Sequence, residues 1–237
     1  MQENVSNSDK LIVLHLNNYS FSKLIKQTKF AKSPEEIMSA MYESTRAVLK
    51  YCVGSQIAYI QGDGITILLQ DDLESENRST ETYAKAACLA SVAFCNHLNK
   101  NWVTYNQAVL QYFNLDEGFT NVTFDYHVSR LPSIEINNTF FHHQQSALEN
   151  SINSIAWYGL SKKYSINVVE KMLEGLSLND RQNIIYQELK VDINTYPTKH
   201  RRGVCFLKNY TNSSHWIIDE DIPLFNQNLD YINKFLA

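Results

Sequence analysis

Asp63 is the carboxylate in this chain most plainly placed to do chemistry. It stands between two glycines in residues 56–69, QIAYIQGDGITILL. Ile57, Tyr59, Ile65, Ile67 and Leu69 alternate as strand residues do, and Gly62-Asp63-Gly64 offers the positive φ of a tight hairpin turn. A carboxylate fixed at a strand end has two uses. It can close the turn by accepting from its own backbone, as Asp beside Gly often does, or it can hold Mg²⁺ against nucleotide phosphates. The local sequence leaves both open. Three other groups of residues need weighing. His142 and His143 are adjacent, so on a helix they point about 100° apart and do not make the i, i+4 pair of a helical zinc site. Lys199, His200, Arg201 and Arg202 form the densest positive charge, with Gly203 behind them allowing close backbone approach. That run is either a solvated basic loop or a phosphate contact. Cys52, Cys88, Cys95 and Cys205 show no CxxC spacing and read as thiols of a reducing compartment, with neither disulfide nor zinc expected.

The elements that must position these residues are legible in outline. Residues 11–16 read as a central strand, apolar on both faces, ended by Asn17-Asn18. Ser33-Pro34-Glu35-Glu36 starts a helix reaching about Cys52. After a polar loop, residues 80–99 carry a small-residue stripe, Tyr83, Ala87, Ala90, Ala93 and Phe94, suited to close packing. The aromatic stretch 102–118 has no clear period. Residues 121–130 return to β alternation and stop at Leu131-Pro132. A helix over 134–158 bears the two histidines, and short helices over 165–174 and 179–186 precede a basic turn over 196–208 and an amphipathic tail.

With 237 residues, 44% hydrophobic and 12% aromatic, the chain can bury a full core. The net charge of −4 sets up no global attraction to nucleic acid, so any polyanion site is local. The polar start MQENVSNSDK and the lack of an apolar run of about 20 residues predict a soluble, cytoplasmic protein with no membrane partner.

Taken in order, these pieces resemble the tRNA(His) guanylyltransferase family, enzymes that add nucleotides in the 3′-to-5′ direction on a polymerase-like palm. LHLNNYSFSKL sits where that family has its first metal motif, and KFAKSPEE resembles the start of its first helix. YIQGDGITILL resembles its serine-aspartate-glutamate strand. FDYHVSRLP, FFHHQQSALENSI and YPTKHRRGVCF resemble its later segments. The resemblance covers residues 11–207 and implies an α+β fold: a palm-like, ferredoxin-like antiparallel sheet covered by helices. It implies a nucleotide-binding core over 10–160 and a helical, basic-turn extension over 161–237. It also implies a dimeric or tetrameric homo-oligomer.

The departures fall where the family does its chemistry. Asp63 keeps one metal position, but the glutamate after it is Gly64. The other metal aspartate, and the glycine and arginine after it, are matched by Asn17, Asn18 and Tyr19. On the helix, His143, Ser146 and Glu149 stand where the resemblance implies arginine, aspartate and arginine, while Phe124, Asp125, Gln144, Asn150, Ser151, Pro197 and Gly203 match. Two-metal phosphoryl transfer needs anionic ligands around two cations; an Asn carbonyl removes one full charge from such a site. The expectation is therefore a protein that binds or sequesters a nucleotide-type ligand, or RNA, without turnover, with Mg²⁺ held weakly if at all. In this reading Asn17, Asn18, Tyr19, Ser20, Phe21, Gly62, Asp63, Gly64, His143, Gln144, Ser146 and Asn150 line the nucleotide cleft, and Lys199, Arg201 and Arg202 face phosphate or RNA. A rival reading is an active Mg²⁺-dependent nucleotidyltransferase on a tRNA 5′ end, its second carboxylate supplied by Asp125 or Asp71. Another is a protein-interaction scaffold built on 102–119.

Overall fold

The computed structural model describes residues 10–18, 34–70, 80–113, 122–211 and 215–236, without side-chain detail at 10, 34 and 99–113. Tyr19, Ser20, Phe21 and Asp71 lie outside the described residues. The strands are β1 (Lys10–Asn18), β2 (Ser55–Gln61), β3 (Gly64–Leu69), β4 (Phe124–Pro132), β5 (Val204–Lys208) and β6 (Trp216–Asp219). The helices are α1 (Pro34–Tyr51), α2 (Thr80–Phe113), α3 (Ser133–Ser161), α4 (Ile166–Leu173), α5 (Leu178–Ile184), α6 (Thr198–Arg202) and α7 (Asp230–Asn233). The strands form one six-stranded sheet in the order β4-β1-β3-β2-β5-β6, every neighbouring pair antiparallel. This is the expected α+β architecture.

Both strands of the central hairpin are buried along their whole length, so the sheet must be covered on both faces. On one face Leu14, Leu16, Ile60, Ile65, Ile67 and Phe206 pack against α1 and α2 through Met41, Val48, Ala90 and Phe94. The small-residue stripe works between the two helices as much as against the sheet: Ser44 Oγ donates to the Ala90 carbonyl at 3.0 Å, a distance that larger residues there would prevent. On the other face Leu11, Val13, Ile57, Tyr59 and Leu68 meet Ile136 and Phe140 of α3 and the tail residues Phe225 and Ile232. The second half of α3 leaves the sheet and makes its own core with α4 and α5, through Ile152, Ala156, Leu160, Val169, Leu173 and Ile185.

Two expectations change in the structure. The helix over 80–99 continues to Phe113, so the aromatic stretch is helical at least that far. The basic turn is a short helix, α6, followed directly by β5, which joins the sheet beside β2. Gly203 links them at φ +85°, and a Cβ there would stand 2.2 Å from the Ile60 carbonyl oxygen and 2.7 Å from the Tyr59 ring. The close approach that this glycine permits is to the chain's own β2, not to a ligand. Tyr59 Oη completes the contact by donating to the Arg202 carbonyl at 2.6 Å. Gly203→Ala should accordingly lower stability by roughly 2–4 kcal/mol, read as a shifted urea midpoint with unchanged slope.

Candidate active-site cleft

Strand register arranges the α3 side of the sheet in rows, because residues directly paired across antiparallel strands share a face. The row next to the hairpin turn runs Asp125, Asn17, Gly64, Gln61. The next runs His127, His15, Thr66, Tyr59, Cys205. The third runs Ser129, Val13, Leu68, Ile57, Leu207. The face thus grades from apolar, under the first half of α3, to polar at the turn. Asp63 stands at that polar end. Its backbone carbonyl accepts from Asn18 N at 3.0 Å, tying the hairpin tip to the end of β1.

The polar end is filled by a network that joins sheet to helix. Gln61 Nε2 lies 2.7 Å from His143 Nδ1, Thr66 Oγ1 lies 3.4 Å from the same nitrogen, and His15 Nδ1 lies 3.0 Å from Thr66 Oγ1. The two imidazoles face each other with centroids 4.5 Å apart. With Gln61 as donor, His143 Nδ1 accepts and its own proton sits on Nε2. Burial, reinforced by the neighbouring His143 and His127, lowers the His15 pKa to about 4. Burial, then His142, lowers that of His143. Both rings are neutral at pH 7. Among the described residues, the buried carbonyl oxygen of Gln61 has no hydrogen-bond partner. The network therefore carries an unused acceptor at the row nearest Asp63.

This network explains Gly64. Its φ is not positive; only Gly62 supplies the left-handed turn residue, at φ +49°. A Cβ at position 64 would instead meet His15 Cε1 at 3.0 Å and Gln61 Cγ at 3.3 Å. The space that a glutamate side chain would leave through is occupied by a histidine and a glutamine. Asp63 is half-buried, and burial raises its pKa despite a hydrogen bond from its own backbone that works the other way. Asp63 thus closes its own turn, as one of its two sequence readings expects, and it is a partly desolvated carboxylate with no cation beside it among the described residues.

Of the expected cleft residues, the structure brings together Asn17, Gly62, Asp63, Gly64, His143 and Asn150; Asn150 Cβ lies 4.0 Å from where a Gly62 Cβ would be, so α3 crosses the hairpin tip. Asn18 is at the same strand end but buried. Gln144 does not face the cleft. It is 3% exposed, its amide nitrogen donating to Pro223 O at 3.0 Å and its amide oxygen accepting from Phe225 N at 2.9 Å, so it fastens the tail to α3. Ser146 is exposed and its hydroxyl donates back to the His142 carbonyl. The basic residues lie at the turn end of the sheet but are engaged within the chain. Lys199 pairs with Glu220 at 2.9 Å, Arg201 Nε donates to the Tyr196 carbonyl, and an Arg202 nitrogen donates to the Ile222 carbonyl. Each guanidinium thus spends one nitrogen on a main-chain carbonyl of α6's surroundings or the tail, and the Lys199 ammonium is paired with Glu220. His15, Thr66 and Gln61 were legible only as strand residues; a polar side chain interrupting an otherwise apolar strand was the available signal.

A family model described as tRNAHis guanylyltransferase (Thg1) matches residues 2–132. A comparison with curated proteins finds no significant match by sequence. Among solved structures, a bacterial tRNA(His) guanylyltransferase (Thg1)-like protein in complex with ATP superposes with a TM-score of 0.73 at 20% identity, over 98% of this chain and 92% of that one. A structure with the same description in complex with GTP gives 0.64 at 18% identity, over 98% and 91%. The tRNA(His) guanylyltransferase of Saccharomyces cerevisiae gives 0.62 at 19% identity, over 93% of each chain. At these identities what is shared is the fold.

The depressed histidine pKa fixes a pH dependence. Above the unfolded value of 6.5 both states are neutral at His15 and the network contributes fully. As pH falls from there toward about 4, the unfolded chain takes up a proton that the folded chain refuses, and stability declines. Going from about pH 7.5 to about pH 5, His15→Asn should lose about 1–2 kcal/mol less than the wild type in urea unfolding. Gln144→Leu should cost about 1–3 kcal/mol at any pH in that range, since it leaves two buried main-chain groups of the tail unpaired.

Proposed function

The chain belongs to the tRNA(His) guanylyltransferase (Thg1) family, and from that membership we propose that it binds a nucleoside triphosphate at the Asp63 end of its sheet and holds it without transferring the nucleotide. The observation that carries this reading is the row Asp125, Asn17, Gly64, Gln61. Where two-metal chemistry needs carboxylates, this row offers an amide at Asn17 and no side chain at Gly64, and the space beyond Gly64 is taken by neutral His15. The structures of bacterial family members with ATP and with GTP support the choice of ligand.

In this reading the residues act as follows. Asp63 and the Asn17 amide oxygen are the groups that would hold one Mg²⁺, which would supply positive charge to neutralise a bound triphosphate. A second ion does not fit, because the anionic groups that would hold a pair about 4 Å apart are missing at 17 and 64. At Gly62 the neighbouring group is Asn150, its Cβ 4.0 Å from where a Cβ would stand. Gln61, with its spare buried oxygen, and His143, with a proton on Nε2, offer an acceptor and a donor from the α3 side. The exposed Glu149 repels phosphate and so leaves the triphosphate less firmly clamped than an arginine would. The core over 10–160 carries this site, the extension over 161–237 braces it, and the protein works as a homo-oligomer away from membranes. No helix among the described residues is long and apolar enough to cross one.

A second reading has its own observation. Asp125 is paired directly across from Asn17 on the same face, so it is the carboxylate that could replace the missing one in a working nucleotidyltransferase acting on a tRNA 5′ end. Its exposure, and the acceptance of its own neighbour's amide from Tyr126 at 3.2 Å, rank it below Asp63 as a ligand.

The test is a thermal-shift and incorporation pair. ATP or GTP at about 100 times its dissociation constant should stabilise the protein by about 2.7 kcal/mol with Mg²⁺ present. Asp63→Ala should abolish the Mg²⁺-dependent part of that shift, and no nucleotide should be added to a tRNA lacking its 5′ guanylate. Robust incorporation lost in Asp63→Ala would overturn the binding-only reading. If Asp125→Ala then removed incorporation as well, the transferase reading would replace it.

A further inference from the structure

The contact that closes α3 onto the hairpin is made of groups whose roles reverse together. Gln61 Nε2 stands 2.7 Å from His143 Nδ1, with Thr66 Oγ1 3.4 Å from the same nitrogen. A primary amide carries a donor and an acceptor on one carbon, and a half-turn about its last torsion exchanges them. An imidazole nitrogen that accepts in the neutral ring donates in the charged one. The pair is therefore satisfied in two ways. In the structure the amide nitrogen donates to neutral His143, and the Gln61 oxygen is buried without a partner among the described residues. In the alternative the ring is protonated, the amide is turned over, and Nδ1–H donates to that oxygen. Each form leaves one half of the amide over. The neutral form strands an acceptor, whereas the charged form strands a donor beside a cation, which an anionic oxygen would satisfy.

The surroundings leave the charge of the ring able to change. His143 is half-buried, so protons reach it from solvent. Facing it are His15 on β1, its ring centroid 4.5 Å away and held neutral by burial, the uncharged Gln61 and Thr66 on β2 and β3, and His142 beside it on α3. Burial first and His142 second lower the His143 pKa from the ordinary 6.5, and the half-buried Asp63 at the hairpin tip does not act against them. An anion seated at this end supplies the charge that is missing. It raises the His143 pKa, and by linkage protonation tightens the anion by the same factor.

We infer that Gln61 and His143 form a proton switch at this end of the cleft: the neutral pair holds anions weakly, and the protonated pair, with the amide turned over, holds them tightly. This rests on the reading that a triphosphate binds beside Asp63, and adds that its binding takes up a proton at His143. The acidity of the surroundings then sets how firmly the ligand is held.

In the free full-length chain, nuclear magnetic resonance should show the His143 ring and the Gln61 side-chain amide titrating with one shared midpoint. Sulfate, which stays doubly charged over this range, should raise that midpoint. Calorimetric titration with ATP and Mg²⁺ should give an affinity gain from about pH 7.5 to about pH 5.5 that is about 3- to 10-fold larger in wild type than in His143→Gln. His143→Arg, charged throughout, should bind ATP more tightly than wild type at the higher pH and show only the pH dependence of the glutamine variant. A Gln61 amide that does not follow the ring, a midpoint that sulfate leaves in place, or equal pH dependence in wild type and His143→Gln overturns the inference. If no form binds ATP at either pH while sulfate still moves the shared midpoint, the switch stands as an anion sensor and the triphosphate reading falls.

Discussion

A hairpin with buried side chains from Ser55 to Gln61 and from Gly64 to Leu69 is the constraint from which the rest of this structure follows. Such a hairpin cannot stand at the edge of a sheet or face water on either side. It is therefore flanked by β1 and β5 and covered by α1 and α2 on one face and by α3 and the tail on the other. Only its turn escapes, and the turn is where Asp63 sits. The candidate functional end of the molecule is what remains when everything else about the hairpin has been buried.

At that end the chain manages charge by avoiding it. Two imidazoles share a few ångströms with a threonine and a glutamine, and burial keeps both uncharged. A palm built for two cations would place carboxylates in this space; here the volume beside Gly64 is filled by His15 and Gln61. The residues at 15, 61 and 64 are mutually adjusted, since a side chain at 64 would press on the ring at 15 and the stem of Gln61. A single change at one of them would not restore an anionic site.

Helix α3 connects the molecule's parts. Its first half lies over the sheet, its middle carries His143, Gln144 and Asn150, and its second half anchors the helical unit. Adjacent residues on it serve opposite ends: His143 joins the polar network while Gln144, one position on and about 100° around, fastens the tail.

The amino-acid sequence by itself determined the hairpin, its aspartate, the helix starting at Pro34, the small-residue stripe and the order of elements, because each is a local matter of hydrophobic period, glycine placement or capping. It also carried the family resemblance, since motif order survives where individual side chains do not. What only the tertiary structure decided are the pairings. Strand register brought Asp125 beside Asn17 and set His15 against Thr66, and no local pattern reports which residues of separate strands face one another. Packing assigned Gln144 to the tail, Gly203 to the β2 backbone and the basic residues of α6 to carbonyls and Glu220. A buried glutamine and a ligand-facing glutamine look alike in sequence; the difference is which hydrogen-bond partners folding delivers, and those come from residues 80 positions away.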